Sequence, residues 1–461
     1  MLPVCLIICS KLINQAVPDT IDERALNQGK ELNTFQKTEN NNLAINSAKA
    51  IGCTVVNIGS SDLIEGRPHL VLGLVWQIIK RGLLARINLQ YHPELYRLLR
   101  QDETLDDLLR LPADELLLRW FNYQLATSGK WENRQPIANF AQDLKDSEAY
   151  TVLMNNLKPQ DCSLAALSVG DPSERARMVV SNAERIECRE YVTEKAILEG
   201  NPRLNLAFIA TLFNKYPNLA PLSEAERCEI DEELFNAQGD REARALTMWL
   251  NSLGVEPLVM SIFKDLKDGI VLLQALNKLK PERDQAQKGF GNASLKERAD
   301  RFISLERCNK AVKQAKEGLA LNITGMQGAD VTDGNKTLTL GLVWQMMRFH
   351  VLKTLNGVTD SQIITWANST VGTTEISSFK DQSLKNGRYL LALLDKLSPG
   401  SVDKTLIIQE GDEEAHRQNA KYAISVARKL GATIFVLPED ILEVRAKLIM
   451  TFVGSLMALF K

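Results

Sequence analysis

Leu72-Gly73-Leu74-Val75-Trp76-Gln77 recurs letter for letter as Leu340-Gly341-Leu342-Val343-Trp344-Gln345, and that repetition decides how the chain is read. Chance is a poor explanation, because the flanks agree at the same offset: Asp62, Leu63, Gly66 and Leu70 answer to Asp330, Val331, Gly334 and Leu338. The chain contains an internal duplication. Each copy lies in a long apolar stretch, Leu70 to Leu84 and Leu338 to Leu352. Its polar residues are few: Gln77, Lys80 and Arg81 in the first, and Thr339, Gln345, Arg348 and His350 in the second. A helix that is apolar on nearly every face packs on most sides, so both stretches are expected at the centre of their repeats. The cations sit toward the C-terminal end, where they complement the helix dipole. Gly341 is expected to let a neighbouring backbone approach.

A second signature occurs three times, as Trp-x-Asn at Trp120/Asn122, Trp249/Asn251 and Trp366/Asn368. Each is followed by a Phe and a short turn: Asp143-Leu144-Lys145-Asp146-Ser147, Asp265-Leu266-Lys267-Asp268-Gly269 and Ser383-Leu384-Lys385-Asn386-Gly387. An apolar helix and a proline (Pro159, Pro281, Pro399) come next. Leu246, Leu250 and Leu253 surround Trp249 at helical spacing, which turns the indole inward. Trp76, Trp120, Trp249, Trp344 and Trp366 are therefore expected in the structural core, and the turns are expected to supply capping oxygens. Asn182-Ala183 and Asn419-Ala420 open a matching pair of later segments, each closing on an apolar helix, Leu204 to Phe213 and Lys447 to Met457. β-Branched alternation is scarce, so the fold is read as all-α.

The repeats divide the chain into a partial first repeat at 1–89, a linker at 90–112, a second repeat at 113–216, a linker at 217–239, a third repeat at 240–356 and a fourth at 357–461. Pro93 and Pro112 punctuate the first linker, which is dense in Leu, Arg, Asp and Glu. The acidic run near Glu224 to Glu233 reads as a solvated spacer.

With 461 residues the chain is too long for one core. Its 55 basic and 57 acidic residues leave a formal charge of -2, which argues against a nucleic-acid partner. Seven scattered cysteines form no metal-ligand pattern and read as reduced thiols. The longest apolar run, Leu448 to Phe460, is shorter than the roughly 18 residues of a membrane span. Gly334-Asn335-Lys336-Thr337 lacks the Gly-Lys-Thr order and the preceding strand of a phosphate-binding loop, and the four histidines lie far apart. No enzyme, no catalytic residue, no metal and no cofactor is expected.

Taken together in this order and number, several stretches resemble the fimbrin, or plastin, family. They are Val17-Pro18-Asp19-Thr20-Ile21-Asp22-Glu23-Arg24, the two LGLVWQ helices, Asn139-Phe140 with Asp143 to Tyr150, and Asn419-Ala420-Lys421-Tyr422-Ala423-Ile424-Ser425 with Glu439-Asp440-Ile441. The resemblance implies four calponin-homology helical domains in two tandem pairs. It also implies filamentous actin as the partner, cross-linking of filaments into bundles, and a cytoplasmic, cytoskeletal location. It places actin-binding surface patches on Arg241 to Leu253 (Arg241, Arg244) and on the LGLVWQ helices with their polar ends (Gln77, Lys80, Arg81 and Gln345, Arg348, Lys353). Further patches fall near Leu116 to Gln124 (Arg119, Gln124) and Ile363 to Asn368. The family's EF-hand loop, D-x-[DN]-x-[DN]-G, is absent from these residues, so no calcium site and no calcium response are expected. The first repeat opens without a Trp-x-Asn helix, and Leu6 to Asn14 looks like the helix after the missing turn. A truncated first repeat would lose several buried anchors, at about 1.5–3 kcal/mol each, and bundling is expected to suffer. The alternatives are a monovalent filament binder or a scaffold for another cytoskeletal partner. A monomer is expected.

Overall fold

The computed structural model describes residues 2–461 except 30, 56, 110, 133, 229, 231–240, 280–300, 353–354 and 356–357, and it leaves the side chains of 2–8, 106 and 241–242 undescribed. Among the described residues there are helices and turns but no strand, as an all-α reading requires. The first repeat holds α1 (Leu2–Ala16), α2 (Thr34–Ala50), α3 (Ser60–Glu65) and α4 (Pro68–Leu84). After α5 (Leu105–Leu109), the second holds α6 (Ala113–Thr127), α7 (Glu148–Leu157), α8 (Pro172–Arg185), α9 (Glu194–Glu199) and α10 (Pro202–Lys215). The third holds α11 (Arg241–Ser252), α12 (Ile262–Asp265), α13 (Ile270–Leu279), α14 (Arg301–Lys313), α15 (Gly328–Thr332) and α16 (Lys336–Leu352). The fourth holds α17 (Asp360–Val371), α18 (Arg388–Leu397), α19 (Glu413–Lys429), α20 (Pro438–Leu442) and α21 (Ala446–Phe460).

Local chemistry explains the repeated letters. The Asn of each Trp-x-Asn is a backbone clamp. Asn251 Nδ2 donates to the Val259 carbonyl and its Oδ1 accepts from the Val259 N–H, both at 2.9 Å. Asn122 does the same to Ile137 at 2.9 Å in each direction, and Asn368 to Ile376 at 3.0 Å. A buried residue with both backbone groups satisfied by one side chain pins the loop after the first helix, and leaving those groups unmet would be costly. One aspartate then closes the turn. Asp143 accepts from Ala138 and Asn139, Asp265 from Met260 and Ser261, and Asp381 from Ser377 and Ser383. In the fourth repeat the closing residue is thus Asp381, just ahead of the turn read from Ser383.

The duplicated Asp62 and Asp330 are explained in the same way. Asp62 accepts from the Gly59 N–H at 2.8 Å and Asp330 from the Gln327 N–H at 2.7 Å, and Asp440 repeats this with Leu437 at 2.8 Å. A left-handed residue follows α3, α9, α15 and α20: Gly66 at φ 68°, Gly200 at 65° and Gly334 at 80°, but Val444 at 53°. Glycine reaches that region without a steric penalty, which accounts for three of the four choices.

Two bodies are distinguished by their internal packing: Met1–Ile78 with Gly239–Lys461, and Ile79–Gln238. In the larger, α2 lies along α19 and also meets α11, so the first repeat is bound to the fourth and touches the third. Its core includes Ile13, Leu43, Leu74, Trp249, Leu342, Leu390, Phe452 and Tyr422, all at most 1% exposed. In the smaller, Trp120 stacks edge-on against Phe213 with centroids 5.3 Å apart, and its indole N–H donates to the Pro217 carbonyl at 2.7 Å.

Both segments read as linkers are built into that smaller body as far as they are described. Leu95 and Leu108 are fully buried. Arg97 forks onto Glu226 at 2.6 and 3.0 Å, so the start of the acidic run is an anchored surface rather than a free spacer. Residues 231–240 lie outside the described residues.

Candidate functional site

The candidate surface begins with the two LGLVWQ helices, because their shared letters meet different surroundings. In α16, Thr339, Leu342, Val343, Trp344, Met346, Met347 and Leu352 are buried. The helix is central, as expected from its apolar composition. It packs against α11, α12, α15 and α21. The Trp249 indole N–H, from α11, donates to His350 Nδ1 at 3.0 Å, and Lys447 of α21 sits 5.8 Å from the Trp344 ring centroid. In α4 only Leu74 and Ile78 are buried. Leu72 is 64% exposed and Trp76 is half-buried, so neither the expected centrality of α4 nor a core role for Trp76 holds. Trp366 is half-buried too, whereas Trp120 and Trp249 are fully buried.

Gly341 does not serve close approach. A methyl group placed on it, or on Gly73, would meet nothing within 4 Å. Both glycines open onto space on the helix face that the protein leaves uncovered.

The polar residues assigned to patches separate by their partners. Gln77 is tied to the backbone of Thr54, accepting from its N–H at 2.7 Å and donating to its carbonyl at 2.6 Å. Gln345, its duplicate, is half-buried and has no side-chain partner among the described residues. Lys80 pairs with Asp114 at 3.6 Å and remains 42% exposed. Arg81 is half-buried. Arg348 pairs with Asp360 at 2.7 Å, and Arg244 is exposed on α11. The Arg241 side chain and Lys353 lie outside the described residues.

Two assignments do not sit on a surface. Arg119 is 9% exposed and forks onto Glu103 at 2.6 and 2.8 Å, and that guanidinium holds the Glu103 carboxyl below its ordinary range. Gln124 is 1% exposed, donating to the carbonyls of Pro217 and Asn218 and accepting from Asn156. The family resemblance implies a surface role for both, but that face is covered by chain from 217–218 and 103.

Two of the stretches that carry the family resemblance, Val17 to Arg24 and Asn419 to Ser425, are the two sides of one seam in the larger body. Asp19 pairs with Lys421 at 2.6 Å, and the Asp22 N–H donates to Ser425 Oγ at 2.9 Å. Arg24 forks onto Asp22, stacks 4.9 Å from the Tyr422 ring centroid and donates to the Gln418 carbonyl at 2.7 Å. Asn14 holds the segment in shape by bonding both backbone groups of Ile21, at 2.8 and 3.0 Å.

Two cations lie deep in the seam. Arg428, 4% exposed, reaches the Thr20 carbonyl at 3.1 Å and the Ile434 carbonyl at 2.9 Å, and burial brings its guanidinium down to about 9. Lys429 meets Asn27 Oδ1 at 2.9 Å and Glu39 at 3.7 Å. Directional polar contacts of this kind specify one docked geometry, where apolar contact alone would tolerate slippage. No residue type or spacing announces this pairing, since Asp19 and Lys421 are 402 positions apart.

Among the described residues no group of three or more His, Cys, Asp or Glu could hold a metal ion, and no helix is long and apolar enough to cross a membrane.

Comparison with known proteins identifies the repeats and the fold. Residues 7–83, 111–218, 240–351 and 358–461 match the calponin homology (CH) domain. Fimbrin from Saccharomyces cerevisiae is 51% identical over 469 residues, which cover 99% of this chain and 72% of that protein. Human plastin-3 is 42% identical over 472 residues, covering 98% and 73%. The crystal structure of the actin-crosslinking core of Schizosaccharomyces pombe fimbrin aligns with a TM-score of 0.82 at 46% identity, covering 98% of this chain and 90% of that one.

Proposed function

This chain belongs to the fimbrin, or plastin, family of calponin-homology proteins, and from that premise we propose that it binds filamentous actin and cross-links filaments into bundles. The observation that carries the proposal is the match over 98% of the chain to a structure described as an actin-crosslinking core. The role is mechanical, a cross-link rather than a reaction. It places the protein on the actin cytoskeleton, acting as a monomer.

Cross-linking needs two binding surfaces on one molecule, and their joint effect depends on holding them in a geometry that both filaments can meet. The duplicated helices supply the surfaces: α4 with Leu72, Lys80 and Arg81, and α16 with Gln345 and Arg348, extended by Arg244 of α11. Gln77, Arg119 and Gln124 act indirectly, by holding the frame. The exposed cations make part of the attraction sensitive to salt, and calcium leaves actin binding by this chain unchanged.

Cosedimentation of the chain with actin filaments and, separately, with microtubules tests this reading. Pelleting with actin alone is expected. Pelleting with microtubules alone, or with neither, overturns it.

A further inference from the structure

The loop after the first helix has the same construction in three repeats. One residue is buried under the Asn clamp, Ile137, Val259 or Ile376, and the residues on either side of it are exposed. Alternate residues of an extended segment point the same way, so the two flanking side chains share one outward face. The fold asks nothing of that face. In the second repeat it carries Pro136 and Ala138, and in the fourth Glu375 and Ser377. In the third it carries Leu258 and Met260, 46% and 54% exposed.

A single exposed apolar residue needs no explanation, but two on one face, where the duplicates place small or polar residues, do. The segment is also held unusually firmly. Gln274 bonds both backbone groups of Glu256, at 2.8 and 2.6 Å, Asn251 bonds both of Val259, and Asp265 takes the N–H groups of Met260 and Ser261. An apolar pair on a backbone already fixed loses little entropy when a partner covers it. The loop links α11, which bears Arg244, to α12, which packs on α16, so along the chain the pair lies between the two elements assigned to the actin surface of the third repeat.

We propose that Leu258 and Met260 form an apolar anchor of the third repeat for the actin filament, an inference that rests on the actin-binding reading. Met suits such a role, because its flexible thioether adapts to an uneven partner surface.

The test is actin affinity of the full chain by high-speed cosedimentation, with thermal unfolding measured in parallel. Leu258→Ser/Met260→Ser is expected to weaken binding roughly tenfold or more, since removing two apolar contacts of this size exceeds the 1.4 kcal/mol that a factor of ten requires. The melting midpoint should stay in place. Leu258→Met/Met260→Leu keeps the apolar area and should restore wild-type affinity, and Glu375→Ala/Ser377→Ala should leave it unchanged. Wild-type affinity in the Ser variant, or failure of the conservative variant to restore binding, overturns the proposal. If the unaltered chain fails to pellet with actin, the actin reading itself falls and the anchor falls with it.

Discussion

The two LGLVWQ helices share six consecutive residues and are buried differently. In α16, Val343 and Trp344 are in the core, while in α4 Val75 and Trp76 are half-buried and Leu72 stands in solvent. The difference comes from what lies against each helix. The third repeat lays α11 across α16, with Trp249 bonded to His350, and among the described residues of the first repeat no helix is placed so over α4. An apolar helix sequence therefore states a capacity for burial, and the neighbouring element decides how much of it is used.

The largest expected effect separates the copies directly. Trp344→Ala should destabilise the chain by about 3–5 kcal/mol, as buried aromatic truncations do, and Trp76→Ala by roughly 1–2, in line with the smaller area it removes from water. Denaturant unfolding measures both, and equal losses would break the comparison. Asn251→Ala should follow at about 2–3 kcal/mol, because it strands the buried N–H and carbonyl of Val259 together.

The glutamines invert the order of the tryptophans. Gln77→Ala should cost about 1–2 kcal/mol through the loss of the Thr54 clamp, and Gln345→Ala less than about 0.5, because Gln345 has no side-chain partner among the described residues. Gln345→Ala should instead show its effect in actin affinity.

The smallest effect is in acid. The Ser383 and Ser377 N–H groups hold Asp381 at about 2 against an ordinary 3.8, and Arg97 and Ser223 hold Glu226 at about 2 against 4.5. Both carboxyls are depressed in the folded state. Their contribution is complete above the unfolded values and is lost as pH falls from about 4.5 through about 2. Asp381→Asn should flatten that dependence, read as the denaturation midpoint against pH.

Much of this is legible in the residues. Helix-period patterning and the repeated Trp-x-Asn point to an all-α chain of related repeats, and spacing places Trp120, Trp249 and Trp344 in the core, where they lie, but puts Trp76 and Trp366 there as well, which stay half-buried. The reading fails where a side chain's fate depends on a distant segment. Gln124 resembles a surface amide because the carbonyls that receive it come from Pro217 and Asn218. The Asn of Trp-x-Asn is visible three times, but its purpose shows only once the loop it clamps lies beside it. Val17 to Arg24 and Asn419 to Ser425 are recognisable as family stretches, yet nothing in either marks it as the other's partner. Their contacts are ion pairs and backbone bonds, which leave no periodic trace.

The most direct test of cross-linking is low-speed sedimentation of actin filaments mixed with the whole chain. Single filaments remain in suspension under these conditions and bundles pellet. The two-surface account predicts that actin and the chain appear together in the low-speed pellet. Actin that stays in the supernatant at saturating chain would contradict it and reduce the protein to a one-sided binder.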